Sequence, residues 1–190
     1  MMEGTRAVEI VVKVGGGLLA DPRTFQDTLD EIGAMATRHR TVIIPGGGPF
    51  ADAVRDVDKR LQLSPTAAHW MAILGMDQYA HLIGDRLRQA QVVVDRAGVL
   101  EAFTHGTLPV LAPSRWLVAA DPLPHSWEVT SDSLAAWLAG ELGASRLLLV
   151  KPANAQEPLL DSYFARALPQ RLKTIIVRAG EPLDIAAASC

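Results

Sequence analysis

Six short runs rich in β-branched and aliphatic residues, Val8–Val14, Thr41–Ile44, Val92–Val94, Leu108–Leu111, Arg146–Val150 and Thr174–Val177, punctuate the chain. Between them lie longer stretches of helical period: Pro22–Thr37, Pro49–Lys59, Pro65–Gln89 and Ser131–Leu142, each opening on a proline or serine suited to a helix start. The runs are nearly continuous in apolar residues, which predicts strands buried on both faces. Such alternation predicts an α/β fold, a three-layer α/β/α sandwich with a mainly parallel sheet. Ala112–Trp127 reads as a loop with one short helix, no fixed-period repeat is present, and 190 residues suit a single domain, 1–190.

Composition narrows the function classes. Hydrophobic residues make up 49% and charged residues 21%, as in a soluble globular chain, which argues against a disordered or coiled-coil protein. A formal charge of -3 without a lysine or arginine block gives no grip on nucleic acid phosphates. The sole cysteine, Cys190, allows no internal disulfide and no thiolate zinc site. No apolar run reaches the length of a membrane span, and Glu3, Arg6, Glu9 and Lys13 interrupt the place of a signal peptide. A cytoplasmic protein without a membrane partner is the expectation.

Chemistry concentrates at strand ends. Lys13 closes the run VEIVVKV and is followed by Gly15, Gly16 and Gly17. The second run ends in PGGGP, where Gly46, Gly47 and Gly48 precede a helix start. An ammonium and exposed amides at the carboxyl edge of an open α/β sheet form an anion site. The plain alternative is that the glycines only make tight turns and that Lys13 is a solvated strand-end lysine. Both loops fit G-x-G-x-x-A, but Ile44 and Pro45 stand where a dinucleotide site wants an acid, and no Walker A sequence exists. In WEVTSDSLAAWLA, Asp132 follows Thr130 and Ser131 at a helix start, where it is either a first-turn acid or a site carboxylate. Glu128 is either a second carboxylate for the same cleft or an ordinary loop acid. On the third helix, His69, Asp77 and His81 share one face that either lines an acceptor pocket, with Asp77 meeting an ammonium, or is a solvated face opposite Met71, Leu74, Gln78 and Leu82. Trp70, Met71 and Met76 read as core or subunit interface.

Taken together, KVGGG at Lys13–Gly17, PGGGP at Pro45–Pro49 and VTSDSLAA at Val129–Ala136 resemble the amino acid kinase family. That resemblance implies an ATP-dependent small-molecule kinase. Lys13 would neutralise the transferred phosphoryl group and Asp132 would hold catalytic lysines. Gly15, Gly16, Gly17 and Ser131 would contact nucleotide phosphates, with Lys151 as a second phosphate-binding lysine or else an exposed strand-end residue. Gly46, Gly47 and Gly48 would face the acceptor, with Asp77 and Glu128 further along it. ATP with Mg2+ carried on its phosphates is implied, with no dedicated metal cage, as is a homodimer or larger homo-oligomer. A finer resemblance, over Pro65–Ile83, Pro124–Ala139 and Leu159–Leu168, is to kinases of (5-(aminomethyl)furan-3-yl)methyl phosphate in methanofuran-type cofactor synthesis, which add a second phosphate to a phosphorylated acceptor.

One segment departs from the family. After the LLLV run, members carry Asp-x-Asp-Gly beside the nucleotide, whereas this chain has Lys151, Pro152, Ala153, Asn154 and Ala155. The chain is also short for the family, so its C-terminal nucleotide lobe is expected to be reduced, and Lys173, which precedes a strand, is not expected to serve as a lid lysine. The rival expectation is a non-catalytic relative that binds an anionic metabolite or a partner enzyme.

Overall fold

The computed structural model describes residues 8–183, so Glu3, Arg6 and Cys190 lie outside the described residues. Six strands, β1 (Ile10–Val14), β2 (Thr41–Pro45), β3 (Ala90–Val93), β4 (Leu108–Leu111), β5 (Arg146–Lys151) and β6 (Lys173–Arg178), form one sheet in the order β3-β4-β2-β1-β5-β6. Every neighbouring pair is parallel, so the sheet is wholly rather than mainly parallel. Seven helices connect them: α1 (Pro22–Ala36), α2 (Gly48–Leu61), α3 (Pro65–Arg86), α4 (Arg96–Thr104), α5 (Ser114–Ala120), α6 (Ser131–Glu141) and α7 (Phe164–Ala167).

Strand alternation divides the core. Ile10, Val12, Val14, Leu148 and Val150 pack on the face that receives Leu29 and Ile32 of α1 and Tyr79 and Ile83 of α3. Val11, Leu147 and Leu149 point the other way, against Val99 of α4, Leu117 of α5, Leu134 and Leu138 of α6 and Phe164 of α7. With helices on both faces, neither set of strand side chains meets water, which is why the strands read as unbroken apolar runs. The two central strands, β2 and β1, are buried at all five residues each.

The sequence reading and the structure differ at identifiable places. β3 begins two residues earlier than Val92 and ends at Val93, with Val94 outside it. The helix from Pro65 stops at Arg86, where Leu87 turns to extended backbone. The helix α4 was not expected; it starts on Asp95, whose side chain accepts from the Gly98 amide, with no proline or serine to announce it. The four-residue α7 was likewise unforeseen. On α3 the inward face is Ile73, Met76, Tyr79, Ala80 and Ile83, while Met71 and Leu74 are exposed. His69 is buried and His81 exposed, so they do not share one environment. This helix is apolar over most of its circumference, and its period therefore does not mark which side faces in.

The two glycine loops leave the sheet side by side and touch. The amide of Gly15 bonds to Val150 O at 2.9 Å and that of Gly46 to Val14 O at 2.8 Å, extending the ladders of β1 and β2 into the loops. After Gly15 the chain makes one 3-10 turn, Gly16–Ala20. Gly16 then lies so near Gly48 that a Cβ on it would be 2.2 Å from the Gly48 Cα and nitrogen, and Gly48 itself has φ +54°. Backbone meets backbone here, with no flexible side chain to yield. Gly16→Ala is expected to destabilise the protein by about 2 kcal/mol, as overpacking does. Urea unfolding measures it, and an unchanged midpoint would show that the loops can separate without cost.

Candidate active site

Register and pleat bring two lysines together. Lys13 is the fourth residue of β1 and pairs with Leu149 of β5, so Lys151, two residues on, emerges from the same face one pleat further along. That face is the one covered by α6, whose second residue is Asp132. The Asp132 carboxylate lies between the two ammonium groups, with Oδ1 2.9 Å from Lys13 Nζ and Oδ2 accepting from Lys151 Nζ at 2.6 Å. All three residues are buried, each less than 10% exposed.

Three charges in a dry setting constrain one another. Burial alone would raise the Asp132 carboxyl; the two lysines outweigh it and hold the group below the ordinary carboxylate range. Burial and the charge of Lys13 depress the Lys151 ammonium below the usual lysine range, opposed by Asp132 and Asp161. With both lysines protonated the trio carries one net positive charge, and an anion would complete it.

The loops and the first turn of α6 form one end of a cleft of about 750 Å³, which the buried trio itself does not line. Gly16, Gly17, Gly47, Gly48 and Ser131 line it, whereas Gly15 and Gly46 are spent on the ladder bonds beneath. Ala68, Ala72, Ile73 and Met76 of α3 and Leu134 of α6 give it an apolar floor. Its outer wall is aromatic and acidic. His69 stacks on His125 at 4.4 Å, and Trp127 donates to Asp58 at 2.7 Å while Arg55 covers its ring at 4.7 Å. Burial, followed by the proximity of His125, pushes the imidazole of His69 down to about 4, so it is neutral at neutral pH. Asp52 is paired with Arg55 at 2.9 Å. Among the described residues the Glu128 carboxylate, also on the wall, has no partner.

Asp77 is the expected site residue that the geometry removes. Its carboxylate accepts from the Ser114 amide at 3.0 Å and from the Ser114 hydroxyl, capping α5 away from the cleft. Its place on α3 was legible, but the cap requires Ser114, 37 positions away, to be beside it. Conversely, Asp161 went unmarked in the sequence, although it bonds the first turn of α6 at Thr130 and Ser133. The available hint was negative: Thr130 begins a helix whose third residue is serine instead of the glutamate of a self-contained cap. Pro152–Ala155, where the family's acids are missing, forms a turn closed by Ala155 N on Pro152 O and gripped by Arg178, whose Nη1 donates to Ala155 O at 2.6 Å. Among the described residues no cluster of three histidine, cysteine or acidic side chains could hold a metal, and no helix is long and apolar enough to cross a membrane.

Breaking a buried ionic group by removing one partner is costly. Asp132→Asn is expected to lower stability by about 3 kcal/mol, because two ammonium groups are left facing each other without a carboxylate. Chemical denaturation at neutral pH tests this, and adding Lys151→Met to Asp132→Asn should recover part of the loss. A double variant no more stable than the single one would mean that the two ammoniums do not repel across Asp132.

A sequence profile of the amino acid kinase family matches residues 9–154. Over 141 residues the chain is 31% identical to [5-(aminomethyl)furan-3-yl]methyl phosphate kinase of Methanocaldococcus jannaschii, an alignment covering 73% of this chain. The chain spans 63% of that relative's length. Among solved structures it is similar to UMP kinase from Ureaplasma parvum, with a TM-score of 0.71 at 16% identity, covering 93% of this chain and 92% of the other. UMP kinase from Bacillus anthracis gives 0.67 at 14% identity, covering 93% and 89%. Uridylate kinase from Archaeoglobus fulgidus gives 0.59 at 18%, covering 82% and 69%. The structural likeness shows the shared α/β fold, and the profile match over most of the chain shows that it belongs to the amino acid kinase family.

Proposed function

We propose that this chain is an ATP-dependent kinase that phosphorylates a small acceptor already bearing a phosphate, namely [5-(aminomethyl)furan-3-yl]methyl phosphate, to give its diphosphate. The observation that carries the reading is the Lys13–Asp132–Lys151 bridge, one positive charge in excess when both lysines are protonated, beside two glycine loops. An acceptor phosphate oxygen attacks the γ-phosphorus of ATP as the bond to the β-γ bridging oxygen breaks, and ADP leaves. Such a transfer needs alignment and positive charge near the equatorial oxygens, with no covalent enzyme intermediate. Lys13, on the central strand, faces the group in flight. Lys151 lies toward β6, where the donor's phosphates would rest, and Asp132 keeps both ammoniums from drifting apart. Magnesium would neutralise part of the triphosphate charge; both oxygens of Asp132 are taken by lysines, so the ion would ride on the nucleotide.

The acceptor's chemistry follows the cleft. An apolar floor suits a flat ring, Gly47 and Gly48 line the end where the acceptor's phosphate would lie, and the partnerless Glu128 carboxylate suits an ammonium. Glu128 thus replaces Asp77 in that role. The relative of known name supports the choice of acceptor. The rival reading, an anion-binding protein without turnover, draws on the altered Pro152–Ala155 turn.

A coupled assay of ADP release tests the proposal with the furan phosphate and a panel of other phosphorylated acceptors. Lys13→Ala, verified as folded, is expected to lower kcat by about 10²-fold or more, the scale for losing one charge-stabilising donor. Retained turnover would overturn the assignment, and silence across the panel with a melting shift on anionic metabolites would favour the binding protein. Glu128→Gln should raise KM for the aminated acceptor about tenfold, as for one weakened charge-assisted contact, and leave KM for ATP unchanged. Equal effects on both would mean that Glu128 does not meet the ammonium.

A further inference from the structure

Asp161 stands in the segment between β5 and α7, and its carboxylate accepts five hydrogen bonds: from the Thr130 amide at 3.0 Å and hydroxyl at 2.7 Å, the Ser133 amide at 3.1 Å and hydroxyl at 2.5 Å, and the Tyr163 amide at 3.1 Å. A helix that caps itself divides this work between its own residues. The side chain before the helix accepts the third amide, and a glutamate at the third position reaches back to the amide of that preceding residue. In α6 the first half is reduced to a 3.4 Å bond from the Asp132 amide to the Thr130 hydroxyl, and the second half is absent. Ser133 is too short to reach back, and the Thr130 hydroxyl is turned toward Asp161 as a donor. One carboxylate from a distant part of the chain takes both amides.

Asp132 sits within that turn, between the two residues that Asp161 grips. Its own amide has only a 3.4 Å bond to the Thr130 hydroxyl. The direction in which Asp132 projects is therefore set from outside α6. The segment doing this starts at Lys151, the other end of the shortest ion pair in the site, and Arg178 pins its first turn through the carbonyl of Ala155. Lys151, the pinned turn, Asp161 and the α6 start thus form a closed loop of contacts that returns to Lys151 through Asp132.

We propose that Asp161 is a positioning residue for phosphoryl transfer, holding the first turn of α6 so that the Asp132 carboxylate bridges both ammonium groups. The proposal rests on the kinase reading above. It differs from a cap that merely stabilises α6, because such a cap would change how much protein is folded and leave each folded molecule's turnover alone.

The test uses the full chain with Asp161→Asn, Asp161→Ala and Thr130→Val/Ser133→Ala, the last keeping the Asp161 charge while removing its two hydroxyl bonds. In Asp161→Ala kcat is expected to fall about 100-fold, the cost of a small misplacement of catalytic groups, with KM for ATP and acceptor each within about threefold. The double variant should fall in the same direction. A second readout needs no turnover: the chain has four lysines, Lys13, Lys59, Lys151 and Lys173, so a ¹³Cε lysine spectrum resolves Lys151, assigned through Lys151→Arg. The charged groups facing Lys151 are Lys13, Asp132 and Asp161. Withdrawing Asp132 removes support for the ammonium, so Lys151 should lose its proton at lower pH both in Asp161→Asn and in the double variant. Lower thermal stability with unchanged kcat and an unmoved Lys151 titration would overturn the proposal. A titration that moves in Asp161→Asn but not in the double variant would mark a through-space charge effect and also overturn it. Should the wild type turn over no acceptor, the kinase reading falls on that result, and the Lys151 titration in the double variant alone decides whether Asp161 positions Asp132.

Discussion

Two ammonium groups and one carboxylate share a space from which water is nearly excluded, and the geometry of the protein around them serves to make that tolerable. Taking each ion out of water costs on the order of several kcal/mol, and only close contact with opposite charge offsets it. The carboxylate cannot satisfy two cations equally unless both approach from fixed directions. Neighbouring parallel strands supply those directions, because their side chains keep a constant spacing and a common face. A helix end would not hold two long lysine side chains so rigidly. The surplus positive charge then becomes a standing attraction for an anion, localised at the sheet's carboxyl edge, where open α/β sheets bind ligands.

The glycine loops translate this charge into a shaped site. Since Gly16 and Gly48 meet without side chains, the loops after β1 and β2 act as one wall. The cleft on one side of that wall is built from α2, α3 and the segment before α6, while Lys151 and Arg178 lie on the other, at the ends of β5 and β6. Residues that would distinguish one acceptor from another are thus separate from the residues that would handle the phosphates being exchanged. This division fits a family whose fold recurs in kinases with different named substrates.

Much of this was legible in the residues, and the reason is locality. Strand runs, glycine turns and the Thr130–Ser133 helix start are signals carried by adjacent residues, and the sheet, both loops and α6 stand where those signals placed them. Lys13, Lys151 and Asp132 were each readable as strand-end or helix-start residues, although their meeting needed the register of β1 and β5. What escaped were features with no local signature. The cap of α5 by Asp77 and the cap of α6 by Asp161 join distant segments, so Asp77 looked available for a ligand and Asp161 looked idle. The inward face of α3 escaped for a different reason. Leu74 and Met71 are as apolar as the residues buried behind them, and burial followed from neighbours that the helix does not contain.

The pairing of β1 with β5 also bears on how the protein comes into being. Lys13 belongs to the first strand of the chain and Lys151 to the fifth, with three strands and six helices of chain between their hydrogen-bonded backbones. Contacts so remote in sequence form late, because the loop they close is long and its entropy must be overcome first. In chain order Asp132 precedes Lys151, so the carboxylate partner of Lys13 is made before the second ammonium. Until β5 is present, β1 lacks one of its two flanking strands and the Asp132 carboxylate lacks its Lys151 contact. The bridge through Asp132 is thus complete only when the sheet has strands on both sides of β1, which ties the charge arrangement of the site to the completion of the sheet.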